Sequence, residues 1–495
     1  MVTAACAEQR PTPSPRQPQT VRISVAEGIS NSPDVGLAEV WRSFAYEGLT
    51  IRGNDGRPQP RLATAWTVSP DGRRWTLSIK EGVRWHDGAP LDADGVADAV
   101  RRALTGRQRS ALFPGLRDVE TVRTVGNDVE IALRVPSAFL IDDLDIRLQK
   151  AGSGGQPVGT GPYIPVQVTP TRVEMRAHSA YHDGKPEISS LVLTASPTTR
   201  QAWADLLRGD LEALWNVSGD AAEFLNGDSI DARSFPRRYV YVMAFNSKRP
   251  GLRNPNVRRA LNSAVDRQAI LTDVLGGHGR LAWSPVWPEH WAYGPGTSPF
   301  SFDPSLARAA LSGAGYSPER ADRRLRLTCL VPEGIEVIER LALSLQQALN
   351  EVGVDLLFES VSLSDMEAKL TSGEFDAVLL DLLSGPSLSR VYSFWRSPNG
   401  NPSLNVFGYK DETVDDALDT LMRSVDEARV RAATAQLQAG FARNPPGLFI
   451  AWSERTRAVS RSIEVPLSPG RDPFQPISQW RFRSSMDVRS AGDAR

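Results

Sequence analysis

The sequence predicts an α/β protein of more than one compact unit, and three observations carry that reading. Residues 239–245 are an apolar run of strand-forming side chains that Pro250, Gly251 and Pro255 bring to an end. Asn254 then caps a helix with Pro255 at its first position, and Val257, Ala260, Leu261, Ala264 and Val265 share one face of it. The same alternation recurs elsewhere: residues 191–193, 325–331 and 355–359 read as strands set between helical stretches, the pattern of open α/β sheets. At 495 residues the chain exceeds what one simple core holds, so two or three units are expected.

Composition narrows the function. A hydrophobic fraction of 41% and a charged fraction of 23% are those of a globular protein, and a net charge of -1 argues against nucleic acid as partner. Two cysteines exclude a disulfide framework and a cysteine-rich metal site. Cys329 lies in a strand-like run and reads as a small core hydrophobe. Cys6 follows small residues and precedes a proline-rich polar stretch, residues 7–20, which buries too little surface to fold. That arrangement resembles the end of a bacterial lipoprotein signal with Cys6 as the lipidated residue, although Thr3 stands where such signals carry leucine. No basic and apolar signal regions precede it, so the start is truncated or wrongly placed or Cys6 is incidental, and truncation is the expectation.

Along the chain, residues 21–25 alternate as a strand, and the loop after it holds Ile29, Ser30 and Asn31 where a cleft would form. A helix follows over residues 37–46 with Trp41 and Phe44 inward. Pro70, Asp71 and Gly72 make a turn between two alternating runs, which predicts a hairpin. Trp85 to Gly88 form a second turn. Asp92 or Asp94 caps the next helix, whose buried face is Val96, Ala99, Val100 and Ala103. Asp266 is expected to cap a further helix that ends at Gly276 and Gly277.

Several of these blocks, taken in order, resemble the family 5 extracellular solute-binding proteins, the dipeptide, oligopeptide and nickel group of ABC importers. They are Ser69-Pro70-Asp71-Gly72, Trp75-Thr76-Leu77, Arg84-Trp85-His86-Asp87-Gly88, Gly159-Thr160-Gly161-Pro162-Tyr163, Tyr181-His182-Asp183-Gly184-Lys185-Pro186, Phe245-Asn246 with Ala264-Val265-Asp266-Arg267, and Phe302-Asp303-Pro304 with Gly315-Tyr316. The resemblance spans about residues 21–480. It implies a two-lobed α/β fold of the periplasmic-binding-protein type II, with an extra insertion subdomain in the first lobe and a hinged interlobe cleft. Residues 1–20 are then a signal remnant and tether, 21–245 the first lobe with its insertion at about 46–156, 246–452 the second lobe, 453–485 the return to the first, and 486–495 a disordered tail. Hinge strands are expected at Phe245, Asn246, Ala451 and Trp452.

Catalysis is disfavoured, because no HExxH helix, phosphate-binding loop or nucleophile elbow occurs and no nucleophile, base and orienter set emerges. His178 and His182 are spaced as helical metal ligands would be, yet Tyr181, Asp183, Gly184 and Pro186 make that region a turn. No metal, cofactor or catalytic residue is expected. Trp283, Trp287 and Trp291 read as packing for their own Pro/Gly-rich loop rather than as a sugar-stacking rim.

The resemblance places the ligand near Asp381, Leu382, Leu383 and Ser384, followed by Tyr392, Trp395 and Arg396. Peptide binders of the family carry there a glycine-tryptophan pair and an aspartate that holds the α-amino group. Here Asp381-Leu382 occupies the Gly-Trp place, and the expected aspartate is missing. Asp381 substitutes for it by another approach, or the ligand is less cationic, or Asp381 only ends the strand. An unpaired ammonium in a closed cleft is costly, so the difference bears on specificity. Arg390 and Arg396 stand where an anionic ligand could meet them. The expected role is a monomeric extracytoplasmic lipoprotein that hands a peptide or peptide-like solute to ABC permease subunits, touching the membrane only through its lipid. The alternative is a regulatory or scaffold lipoprotein of the cell envelope that keeps the fold without transport.

Overall fold

The computed structural model describes residues 19–26, 33–105, 111–152, 157–217, 229–294, 298–317, 319–401, 403–466 and 470–483. Among them, eleven strands form one sheet that runs through two lobes. In the first lobe, Thr20–Val25 pairs in parallel with Ser190–Ala195 and Ala213–Val217. Val21, Ile23 and Val25 pack against the helix Pro33–Ala45, with Phe44 stacked on Phe474 from the returning chain. In the second lobe, Leu325–Pro332 lies in parallel between Val354–Val361 and Ala377–Leu383. Apolar clusters cover both faces of this part of the sheet, one of them centred on the helix Glu336–Glu351.

Two long antiparallel strands join the lobes. Ile230–Phe245 pairs with Gly447–Ser460 along its length, and the register shifts between Pro236 and Val240. The apolar run at residues 239–245 is therefore only the second-lobe half of a sixteen-residue strand. Its first half is polar and aromatic, which hid it from a hydrophobicity reading, and Pro236 has no N–H to keep the ladder regular.

The insertion carries its own four-stranded antiparallel sheet, in which Ala63–Val68 and Arg74–Ile79 form the expected hairpin. Trp75, Trp85, Val96, Val100 and Leu140 share its core with the helix Ala93–Leu104, which Asp92 caps through the Gly95 N–H. Glu47 ties this subdomain to the first lobe. Its buried carboxylate accepts from Thr160 Oγ1 at 2.8 Å and Tyr181 at 3.0 Å, with Arg61 at 2.6 Å and His182 Nε2 at 3.1 Å.

One helix departs from expectation. After its Asp266 cap the chain makes a single turn, Arg267–Ala269, and continues as the π-helix Ile270–Val274 before Gly276 and Gly277 take left-handed conformations.

Candidate functional site

Where the carboxyl ends of strands converge, an open α/β sheet forms its crevice. Val217, the last residue of its strand, lies opposite Thr456, and Leu383, the last of its own, lies opposite Tyr239. Both lobes thus point their strand ends at the crossing, residues 236–240 on one long strand and 452–456 on the other. Phe235 is opposite Arg455. Since side chains alternate along a strand, Phe235, Arg237, Arg455 and Arg457 share one face of the crossing.

The charges on that face are unequally matched. Arg457 lies 3.6 Å over the Trp215 ring and holds Asp472 at 2.6 Å. Arg237 lies 4.3 Å over the Tyr239 ring and pairs with Asp381 at 3.1 Å. Arg455 is half-buried and has no ion pair among the described residues. Burial, reinforced by Arg237 and Arg457, brings its pKa down to about 9. On the opposite face, Arg238 is 3.9 Å from Asp145. It keeps 49% of its side chain accessible, yet burial lowers its pKa.

The lobes touch beside this crevice. Ser387 at the head of the helix Leu388–Trp395 donates to Asp142 at 2.5 Å, and Ser389 donates to Asp143 at 3.1 Å. Arg390 reaches the Leu112 carbonyl and the Asp143 carboxylate at 3.3 Å. Trp287 Nε1 donates to the Asn54 carbonyl at 2.8 Å, and Arg57 sits 4.2 Å over the Trp291 ring. Asp143 is wholly buried, which pushes its pKa up to about 7 against the pull of Arg390.

The residues singled out from the sequence fall into different settings. Ile29, Ser30, Asn31 and Cys6 lie outside the described residues. Asp381 reaches the crossing but is already paired with Arg237. Leu382 is buried in the second-lobe core while Leu383 is half-buried at the strand end. The Ser384 hydroxyl donates to the Pro285 carbonyl at 2.6 Å. Tyr392 stacks edge-on against Phe139 of the insertion, so it sits between the lobes.

Trp395 is a correction: it is 0% exposed among Phe407, Tyr409, Phe441 and Phe449, where the amphipathic helix turns its apolar face inward, and no solute reaches it. Arg396 is engaged by Asp415 and Asp419 and lines, with Tyr392 and Arg117, a narrow recess away from the crossing.

The expected hinge residues lie at separate points along the two long strands. Phe245 is wholly buried at the far end of its strand, and the Asn246 amide bonds to the Phe375 carbonyl at 2.9 Å. Ala451 and Trp452 lie on the second-lobe side of the crossing, Trp452 against Trp287 with ring centroids 4.8 Å apart. The register shift between Pro236 and Val240 lies on the first-lobe side of both sets.

Sequence reasoning missed Arg237, Arg455, Arg457 and Asp472. The available signal was the alternation Phe235, Arg237, Tyr239 facing Arg455, Arg457, a polar-aromatic pattern that reads as solvated surface until the strands are paired. His178 and His182 do not come together as ligands: the first meets the Gly161 carbonyl, the second Glu47. Among the described residues no group of three or more His, Cys, Asp or Glu is arranged to hold a metal, and no helix is long and apolar enough to cross a membrane.

Comparison with known proteins gives consistent matches. The family model described as bacterial extracellular solute-binding proteins, family 5 Middle, matches residues 57–402. Protein XP55 of Streptomyces lividans is 28% identical over 86% of this chain and 83% of its own length. The oligopeptide-binding protein AppA of Bacillus subtilis is 24% identical over 88% of this chain and 86% of its own. Among solved structures, NikA from Brucella suis in complex with Fe(III)-EDTA superposes with a TM-score of 0.81 at 20% identity, covering 94% of this chain and 100% of that one. At that identity the likeness is one of fold.

Proposed function

This chain belongs to the bacterial extracellular solute-binding proteins of family 5, and we propose that it encloses a peptide or peptide-like solute at the strand crossing and presents the closed form to the permease of an ABC importer. The observation that carries this reading is the crossing itself. Two strands with a register shift connect the lobes, the strand ends of both lobes meet there, and side chains of one lobe bond to the other beside it. Solute energy then shifts an equilibrium between open and closed forms, with no covalent step. Bending is assigned to residues 236–240 and 453–456, so the lobes divide within the long strands. Asp381 and Leu383 edge the crevice on the second-lobe side, with Ser384 buried behind them, and the loop of Ile29, Ser30 and Asn31 is the proposed first-lobe edge. The oligopeptide-binding relative supports a peptide solute.

The test is native mass spectrometry of gently purified protein. A co-purified peptide-like solute, released on unfolding, is the expected result; protein that carries none and binds no component of a peptide digest contradicts the reading. Cys6 is the proposed lipid anchor, and Cys6→Ala is expected to release the protein from the membrane fraction.

A further inference from the structure

Three guanidinium groups, Arg237, Arg455 and Arg457, share the crossing face with two carboxylates, Asp381 and Asp472, and both carboxylates are taken. Arg457 is held from three sides, by Asp472, the Trp215 carbonyl and the Trp215 ring. Arg237 is held by Asp381 and stacked on Tyr239. The Arg455 guanidinium has neither an ion pair nor a hydrogen bond among the described residues, although the residue lies opposite Phe235 between these two filled neighbours. Glu454, the preceding residue, has its carboxylate 3.9 Å from His278 Nδ1.

A half-buried guanidinium without an anion is costly, and cationic neighbours increase the cost. The planar fork of arginine is satisfied best by a carboxylate or phosphate that accepts two parallel N–H bonds.

We propose that the solute carries an oxyanion, a carboxylate or phosphate, which binds Arg455 at the strand crossing beside Arg237, with Phe235 and Tyr239 flanking it. The inference rests on the solute-binding reading above and gives it a chemical class. It also accounts for the engaged Asp381: recognition here is of a negative group, and the carboxylate that would hold an ammonium serves to orient Arg237. A free peptide C-terminus and a phosphorylated small molecule supply the same chemistry.

The experiment offers the purified protein, stripped of solute, three probes: a casein digest, the same digest with its carboxyl groups amidated, and a mixture of sugar phosphates. Retained species are read by native mass spectrometry and their affinity by calorimetry. Retention from the free digest, or from the sugar phosphates, but not from the amidated digest is expected, and identifies the oxyanion's source. Arg455→Gln is expected to weaken that affinity by about tenfold to a hundredfold, the worth of a charge-assisted bond. Arg455→Lys keeps the charge and loses less, and circular dichroism checks that both variants fold. Equal retention from the amidated digest, or unchanged affinity in Arg455→Gln, overturns the anion subsite while leaving solute binding intact. If no probe is retained and scattering never changes, the solute-binding reading fails first and this inference with it.

Discussion

The Arg237 guanidinium lies 3.1 Å from the Asp381 carboxylate, across neighbouring strands of one sheet. Asp381 is an acidic residue near a second-lobe strand end, and its partner is a residue of the protein. Asp381→Asn is therefore expected to change the affinity of a retained solute by less than about threefold. An aspartate holding an ammonium would cost far more, since charged hydrogen bonds are worth about 1.5–3 kcal/mol. Calorimetry on the variant separates the two.

The serines at the head of the helix Leu388–Trp395 hold the lobes together through Asp142 and Asp143. Replacing both, Ser387→Ala with Ser389→Ala, removes two bonds that exist only when the lobes touch. The double variant is expected to have a larger radius of gyration at a given solute concentration and an affinity about tenfold weaker, from roughly 1.4 kcal/mol of lost closure energy. Ser387 also caps its helix by accepting from the Ser389 N–H, so circular dichroism and a melting curve check that the second lobe stays folded in the variant. An unchanged scattering curve would show that these contacts do not favour closure.

Asp143 gives folding a pH dependence. Burial raises its pKa to about 7, against Arg390, the Gly115 N–H and Arg52, while Asp142 adds to the rise. A carboxyl whose folded pKa lies above its unfolded value stabilises the fold fully below about pH 4, and that contribution is lost as pH rises through 7. Burial holds His86 and His290 neutral, at about 4 and about 3. Their contribution has the opposite sign, being present above about pH 6.5 and lost as pH falls. Asp143 is therefore read as a difference: between pH 5 and pH 8 the melting temperature of the wild type should fall relative to that of Asp143→Asn. Parallel curves would show that Asp143 titrates normally.

Glu47 concentrates the tie between the first lobe and the insertion. Burial alone would raise its pKa, yet His182, Arg61 and Thr160 hold it below the usual carboxylate value. Glu47→Ala leaves Arg61 and His182 facing a vacated buried site and is expected to cost about 3–5 kcal/mol in urea unfolding. A loss below 1 kcal/mol would mean that solvent already screens this cluster.

Much of the fold was legible from local chemistry. Asn254 and Asp92 cap the helices their spacing predicted, and Trp41, Phe44, Val96 and Val100 are buried on the expected faces. The site was less legible. Trp395 is an aromatic residue after a glycine-proline turn, which reads as a binding side chain until the helix periodicity is seen to turn it into the core. Phe245 and Asn246 end the apolar run, but a strand's hydrophobicity marks where it is buried and not where it bends. Arg237 and Arg455 are far apart in sequence and acquire meaning only from a register that no local pattern specifies.

The central claim is that the lobes close on a solute at the crossing. Small-angle scattering of protein as purified, after solute removal by unfolding and refolding, and after the solute is returned tests it directly. The account predicts a larger radius of gyration for the stripped protein and a return to the smaller value when the solute is restored. A bound solute, shown by native mass spectrometry, with one and the same radius in all three states would contradict it.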